Sequence, residues 1–200
     1  MPFGHSIHHR AFPGTITLNF ETLINVYVEV YKSLLNQGFD KIVIMNGHGG
    51  NKDLVFEAIR RVREDTGKIV YAINIGGFGS EVKKKVLEQK TGGHACESET
   101  STALYLGARM LMDKAEKWKF PKNWTDFDKK YFEPRSMVWI TPVVKTQYFH
   151  EITETGSLGD PTITTKEKGK QMVDAIVQEI SLFINDLKFA LMDLMSKSYE

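Results

Sequence analysis

Cysteine is nearly absent: Cys96 stands alone in 200 residues. No disulfide can form within the chain, and no cysteine-rich zinc site can be built. An excess of charge of one sign is lacking too, with 26 basic and 25 acidic residues and a formal net charge of +1. That balance gives no electrostatic case for a nucleic-acid partner or a membrane surface. No apolar run approaches the roughly 20 residues that span a bilayer. The opening MPFGHSIHHRAF has no continuous apolar stretch like that of a secretory leader. Internal repeats and low-complexity linkers are missing as well. These absences predict a soluble, cytoplasmic protein in a reducing compartment. Hydrophobic content of 42% and charged content of 26% are globular values, and 200 residues fit one domain spanning 1–200.

What is present reads as alternating helix and strand. Residues 1–16, with Pro2, Gly4, Pro13 and Gly14, form a loop. Asn19 caps a helix whose apolar positions Leu23, Val26, Tyr27, Val30, Tyr31 and Leu34 recur at helical spacing, and Gly38 ends it. Lys41 to Met45 is a short buried strand. Leu54, Val55, Ala58, Ile59 and Val62 mark a second helix stopping near Gly67, and Lys68 to Ile75 is the next strand. Strand, helix and strand in this order predict a parallel sheet covered by helices. A solvated lysine-rich helix is expected around residues 81–90, and another helix from about Glu97. The aromatic stretch 117–135 reads as a surface excursion, and Met137 to Val144 as an edge strand broken at Pro142. Thr164 and Glu167 form a capping box for a long last helix. Its continuation, FALMDLMSKSYE, is apolar enough to suggest a partner surface.

Three clusters carry chemistry. In parallel α/β sheets ligands bind beyond the carboxyl ends of strands, which is where His48 sits in KIVIMNGHGGNK. The glycines around it permit close approach of another group, and Asn46 and Asn51 can hold the turn through side-chain hydrogen bonds. The same turn could cradle a phosphate, although it lacks the P-loop ending and dinucleotide spacing. The turn-packing reading is the plainer one for a single histidine. In the second cluster, GGHACESET, His94 and Glu97 share a helix face one turn apart, with Glu99 close by. Neutral imidazole and ionised carboxylate suit zinc, manganese or ferrous iron. Acidic residues in a first helical turn are also ordinary dipole partners. The third cluster, His5, His8 and His9 before Phe12-Pro13-Gly14-Thr15, is a loop with histidines of ligand or merely solvated character.

Taken together and in order, GHSIHHRAFPGTITL (4–18), IVIMNGHGGN (42–51), GGHACESETS (92–101) and TGSLGDPTITTKEKG (155–169) resemble the creatininase (creatinine amidohydrolase) family. The resemblance implies a three-layer α/β/α sandwich around a mainly parallel sheet. It also implies a metal-dependent amidohydrolase acting on non-peptide, often cyclic, C–N bonds of small molecules. Under it, His48 and Glu99 are metal ligands, Glu97 is a further ligand or a carboxylate just behind the ligands, and His94 is the general acid or base. Ser6 and His9 lie near the substrate. Divalent ions, zinc, manganese or iron in a two-metal site, and a homo-oligomeric assembly are implied with it.

The family pattern opens with a Glu-x-His-Gly-x-His-Leu-Pro-like run that supplies about half of the ligands, and this sequence has no such run. The expectation is therefore of a chain incomplete at its N-terminal side relative to the family. The alternative is a non-catalytic or truncated member that serves as a binding or assembly subunit.

Overall fold

Asn19 starts the first regular element: its extended backbone leaves the side chain free to accept the Glu21 N–H at 3.0 Å. Helix α1 (Phe20–Asn36) follows, burying Leu23, Ile24, Val28 and Tyr31, and the chain turns at Gly38 with φ +88°. The structure is a computed structural model that describes residues 3–89, 92–132 and 145–194. Its contacts divide the chain into two compact units: Met1–Ile7, Ile16–Phe78 and Ile176–Glu200 in the first, His8–Thr15 and Gly79–Ala175 in the second.

In the first unit, β1 (Val43–Asn46) and β2 (Tyr71–Asn74) pair in parallel, with Val43 opposite Tyr71 and Asn46 opposite Asn74. Helix α2 (Lys52–Thr66) connects them and turns Leu54, Val55, Ala58 and Val62 inward. Gly67 ends it in the left-handed region, φ +68°, where a β-carbon is strained. The core is the packing of α1 and α2 on this pair, from Leu23 and Ile24 to Ile44, Val62 and Val70. The expected βαβ unit is therefore present. Its first strand is not buried on both faces, however. Ile42, Ile44 and Asn46 point inward while Met45 is 53% exposed, so side chains alternate as on a half-covered sheet.

The second unit holds α3 (Ser80–Val86), α4 (Glu97–Tyr105), α5 (Asp126–Phe132) and α6 (Phe149–Ile152). Helix α7 (Lys166–Leu194) begins there, and its later turns belong to the first unit. The stretch 117–135 is not wholly a surface excursion. Trp124 is buried, and Trp118 donates from Nε1 to the Ile152 carbonyl at 2.9 Å and from its backbone N–H to Gly159 at 2.7 Å. The cap of α7 also differs from expectation by one residue. Thr165 Oγ1 accepts the Lys168 N–H at 3.1 Å, whereas Thr164 Oγ1 is buried without a hydrogen-bond partner among the described residues. The expected strand from Met137 to Val144 lies outside the described residues, as does the end of FALMDLMSKSYE; within its described part Phe189 is 76% exposed. Among the described residues no helix is long and apolar enough to cross a membrane.

Two substitutions test this account of the first unit by urea unfolding. Leu23→Ala should cost about 2–5 kcal/mol, because the site is fully enclosed. Gly67→Ala should cost about 1 kcal/mol through its positive φ.

Candidate functional site

The first unit carries Ser6 and His48, and the second carries His9, His94, Glu97 and Glu99. In the first, the turn after β1 is built by its asparagines. Asn46 Nδ2 donates to the His48 carbonyl and to Asn74 Oδ1, both at 2.9 Å, and Asn46 Oδ1 accepts the His48 N–H at 3.2 Å. Asn51 Oδ1 accepts the His5 N–H at 2.8 Å, which draws the N-terminal loop over the turn. Gly4 is glycine for this reason, since a β-carbon there would meet that same Oδ1 at 2.8 Å. With the loop so placed, Ser6 Oγ lies 3.1 Å and the His5 carbonyl 3.2 Å from His48 Nε2. A carbonyl only accepts, so its contact assigns a proton to Nε2. Gly49 needs glycine for no local reason, having neither a positive φ nor any atom within 4 Å of a would-be β-carbon. A cavity of about 540 Å³ opens beside His48, lined by Ser6, Tyr27, Tyr31, Met45, Asn46 and Gly47.

In the second unit the backbone of His94 is clamped to Leu158. The Leu158 N–H donates to the His94 carbonyl at 2.7 Å, and Gly93 N–H donates to the Leu158 carbonyl at 2.8 Å. Ala95 then takes φ +44°, a left-handed conformation costly for a residue with a β-carbon. The Ser157 hydroxyl holds this kink by donating to the Ala95 carbonyl at 3.1 Å. Its consequence is that the Ala95 N–H reaches Glu99 Oε2 at 2.6 Å, while His94 Nδ1 stands 3.8 Å from the same oxygen. The His94 ring lies 4.2 Å from the His9 ring and 5.0 Å, edge to face, from Phe149. His9 is itself 4.2 Å from Phe149 and 4.1 Å from His8. A half-exposed imidazole and carboxylate thus sit against a wall of rings.

Glu97 is placed differently from a ligand. It is 0% exposed, and both carboxylate oxygens are occupied: Oε1 by Lys168 Nζ at 2.5 Å, Oε2 by the N–H groups of Glu88 and Gln89 at 3.0 and 2.9 Å. It is a buried counter-ion, turned inward from the first position of α4 while Glu99, two residues on, is turned outward. Ser6 and His48 are brought together, as are His9, His94 and Glu99. Phe149, His8 as a ring partner and Lys168 were not anticipated. Phe149 carries no motif signal, whereas Lys168 could have been suspected from a buried glutamate's need for a cation.

The donors present, His48, His94 and Glu99, are of the chemistry that divalent ions take. Among the described residues no three His, Cys, Asp or Glu side chains gather closely enough to hold a metal.

The family described as creatinine amidohydrolase matches residues 1–184. The chain is 25% identical over 199 residues to a 3-dehydro-scyllo-inosose hydrolase of Thermotoga maritima, covering 92% of this chain and 62% of that protein. It is likewise 25% identical over 184 residues to a mycofactocin precursor peptide peptidase of Mycobacterium ulcerans, covering 90% and 63%. The chain therefore spans less than two thirds of these relatives' length. Among solved structures, a creatinine amidohydrolase from Bacteroides fragilis superposes with a TM-score of 0.75 at 24% identity, over 100% of this chain and 72% of that one. A manganese form of creatininase superposes with a TM-score of 0.66 at 23% identity, over 88% and 67%; another matched creatininase is of zinc–zinc type. At these identities the likeness shows the fold, the expected α/β class with a parallel sheet.

Two substitutions in the second unit should act in opposite directions. Gly169→Ala drives a β-carbon into the Ser101 carbonyl and should cost about 1–3 kcal/mol by thermal or urea unfolding. Ala95→Gly relieves the positive φ and should leave stability unchanged or raise it by up to about 1 kcal/mol.

Proposed function

The chain belongs to the creatininase (creatinine amidohydrolase) family, and from that premise we propose that it hydrolyses a C–N amide bond of a small molecule, cyclic or linear and non-peptide, with a divalent metal. The observation that carries this reading is the His94–Glu99 pair at 3.8 Å, half-exposed against His9 and Phe149. Hydrolysis of an amide needs a proton delivered to the departing nitrogen, and an imidazole with one open side is suited to deliver it. His94 has that role. Glu99 and the Ala95 kink fix the ring's direction, and Phe149 keeps water from one side of it.

His48 in the first unit and Glu99 in the second are each given the role of metal donor, and Glu97 supports the helix that carries Glu99. Zinc, manganese or iron(II), when bound, polarises the amide carbonyl and makes water acidic enough to attack near neutral pH. Ser6 and His9 have the substrate-contacting roles; Ser6 also steadies His48. The curated relatives are named for an inosose and for a precursor peptide, so the substrate is the feature that varies among them. Self-association into a homo-oligomer and a cytoplasmic setting, consistent with a free buried thiol at Cys96, belong to the same proposal, which involves neither nucleic acid nor membrane.

A second reading, a binding or assembly subunit without activity, is favoured by one observation: Glu97, an expected ligand, is taken up by Lys168 and by the Glu88 and Gln89 N–H groups. Turnover separates the two. A panel of cyclic and linear amides assayed with zinc or manganese should give hydrolysis that chelation abolishes and His94→Ala lowers by about 10²–10⁴-fold in kcat. Absence of turnover across the panel, or a His94→Ala protein as active as the parent, contradicts the hydrolase reading.

A further inference from the structure

Glu99 of the reactive pair stands on α4, whose attachment is unusual, and His94 precedes that helix by three residues. The buried side chains of α4 are Glu97, Thr100 and Ser101, all polar. An apolar stripe, the ordinary means of orienting a helix, is therefore not what holds it. What does is a set of polar contacts converging on one carboxylate and one ammonium. Glu97 accepts the Glu88 and Gln89 N–H groups and Lys168 Nζ. Lys168, its side chain 14% exposed, has three protons and three acceptors: Glu97 Oε1 at 2.5 Å, Glu88 Oε1 at 2.6 Å and the Ile163 carbonyl at 2.9 Å. The following residue, Gly169, lacks the β-carbon that would strike the Ser101 carbonyl, and the Thr165 N–H donates to Ser101 Oγ at 3.3 Å. The first turn of α7 is thereby pinned to α4 along its buried side.

We propose that Lys168 is a positioning residue for the reaction: by neutralising and anchoring Glu97 inside the second unit, it fixes the first turn of α4 and with it the geometry of the His94–Glu99 pair. Desolvation alone would lower the Lys168 pKa. Its hydrogen bonds to Glu88 and Glu97, and the attraction of both carboxylates, overcome this and hold the ammonium charged. Ion pairs of this depth contribute little net stability compared with an apolar filling, but they tolerate one arrangement of their partners and penalise others. Glu97 and Glu99 are two residues apart on one short helix, so a rotation that released the first would carry the second away from Ala95 and His94.

The inference rests on the reading of His94 and Glu99 as the reactive pair, but its test does not require turnover. Hydrogen–deuterium exchange of the Ala95 amide reports the Glu99 contact directly. Lys168→Met should speed that exchange at least tenfold, while α2 amides exchange as in the parent. Lys168→Arg, which keeps the charge, should restore most of the protection. If Lys168→Met does not fold, the double variant Glu97→Gln/Lys168→Met, which buries no unpaired charge, takes its place and should show the same loss at Ala95. In parallel, calorimetric titration with zinc should show affinity weakened about 10–100-fold in the variant, as for groups that orient metal ligands. Ala95 exchange unchanged in a folded variant overturns the inference. Failure of the unsubstituted protein to take up zinc counts against the proposed function alone.

Discussion

A charged carboxylate removed completely from water needs a cation and hydrogen-bond donors around it to offset its lost hydration. Glu97 is that carboxylate in the second unit, and Lys168 with the Glu88 and Gln89 amides is the answer. An isolated buried charge costs many kcal/mol, far more than any single apolar contact in this chain returns. The constraint therefore brings the segment at 88–89, the start of α4 and the start of α7 to one point. With Glu97 turned to that point, Glu99, two residues on along the same helix, faces outward. The first unit depends on apolar burial instead, with α1 and α2 enclosing Leu23, Ile24, Ala58 and Val62.

This difference explains how much of the fold could be read in advance. Where apolar periodicity decides, the elements stand where the spacing puts them. Asn19 caps α1, Gly67 ends α2, and the parallel pair joins Val43–Asn46 to Tyr71–Asn74. The errors lie where long-range contacts decide. Met45 sits in an apolar run yet is exposed, because side chains alternate along the strand and it points opposite to the buried Ile44 and Asn46. Trp118 and Trp124 look like surface aromatics in a charged stretch, but Gly159 and Ile152, far along the chain, supply carbonyl partners for Trp118. Thr164 and Thr165 are both plausible caps, and only the position of Ser101 selects the second.

Candidate site residues were legible by type and less so by role. The asparagines around His48 act as their chemistry suggests, holding the turn through its own backbone and through Asn74. His94 and Glu99 are neighbours. Glu97 was the ambiguous member, because helical spacing sets it beside His94, and spacing alone does not tell which side of a short helix is buried. Polar residues at all of the buried α4 positions remove the usual cue. Phe149 illustrates the opposite limit: a single aromatic with no motif around it becomes part of the site only once α6 is folded against the histidines.

Under the proposed function this chain supplies donors to a divalent ion and a proton donor to an amide, a reading supported by its membership of the creatininase family. Elemental mass spectrometry of the purified protein after mild dialysis tests this most directly. The account predicts about one tightly held divalent ion per chain or more, zinc or manganese among them, lost when Glu99 is replaced by glutamine. Substantially less than one ion per chain in the unsubstituted protein would contradict it.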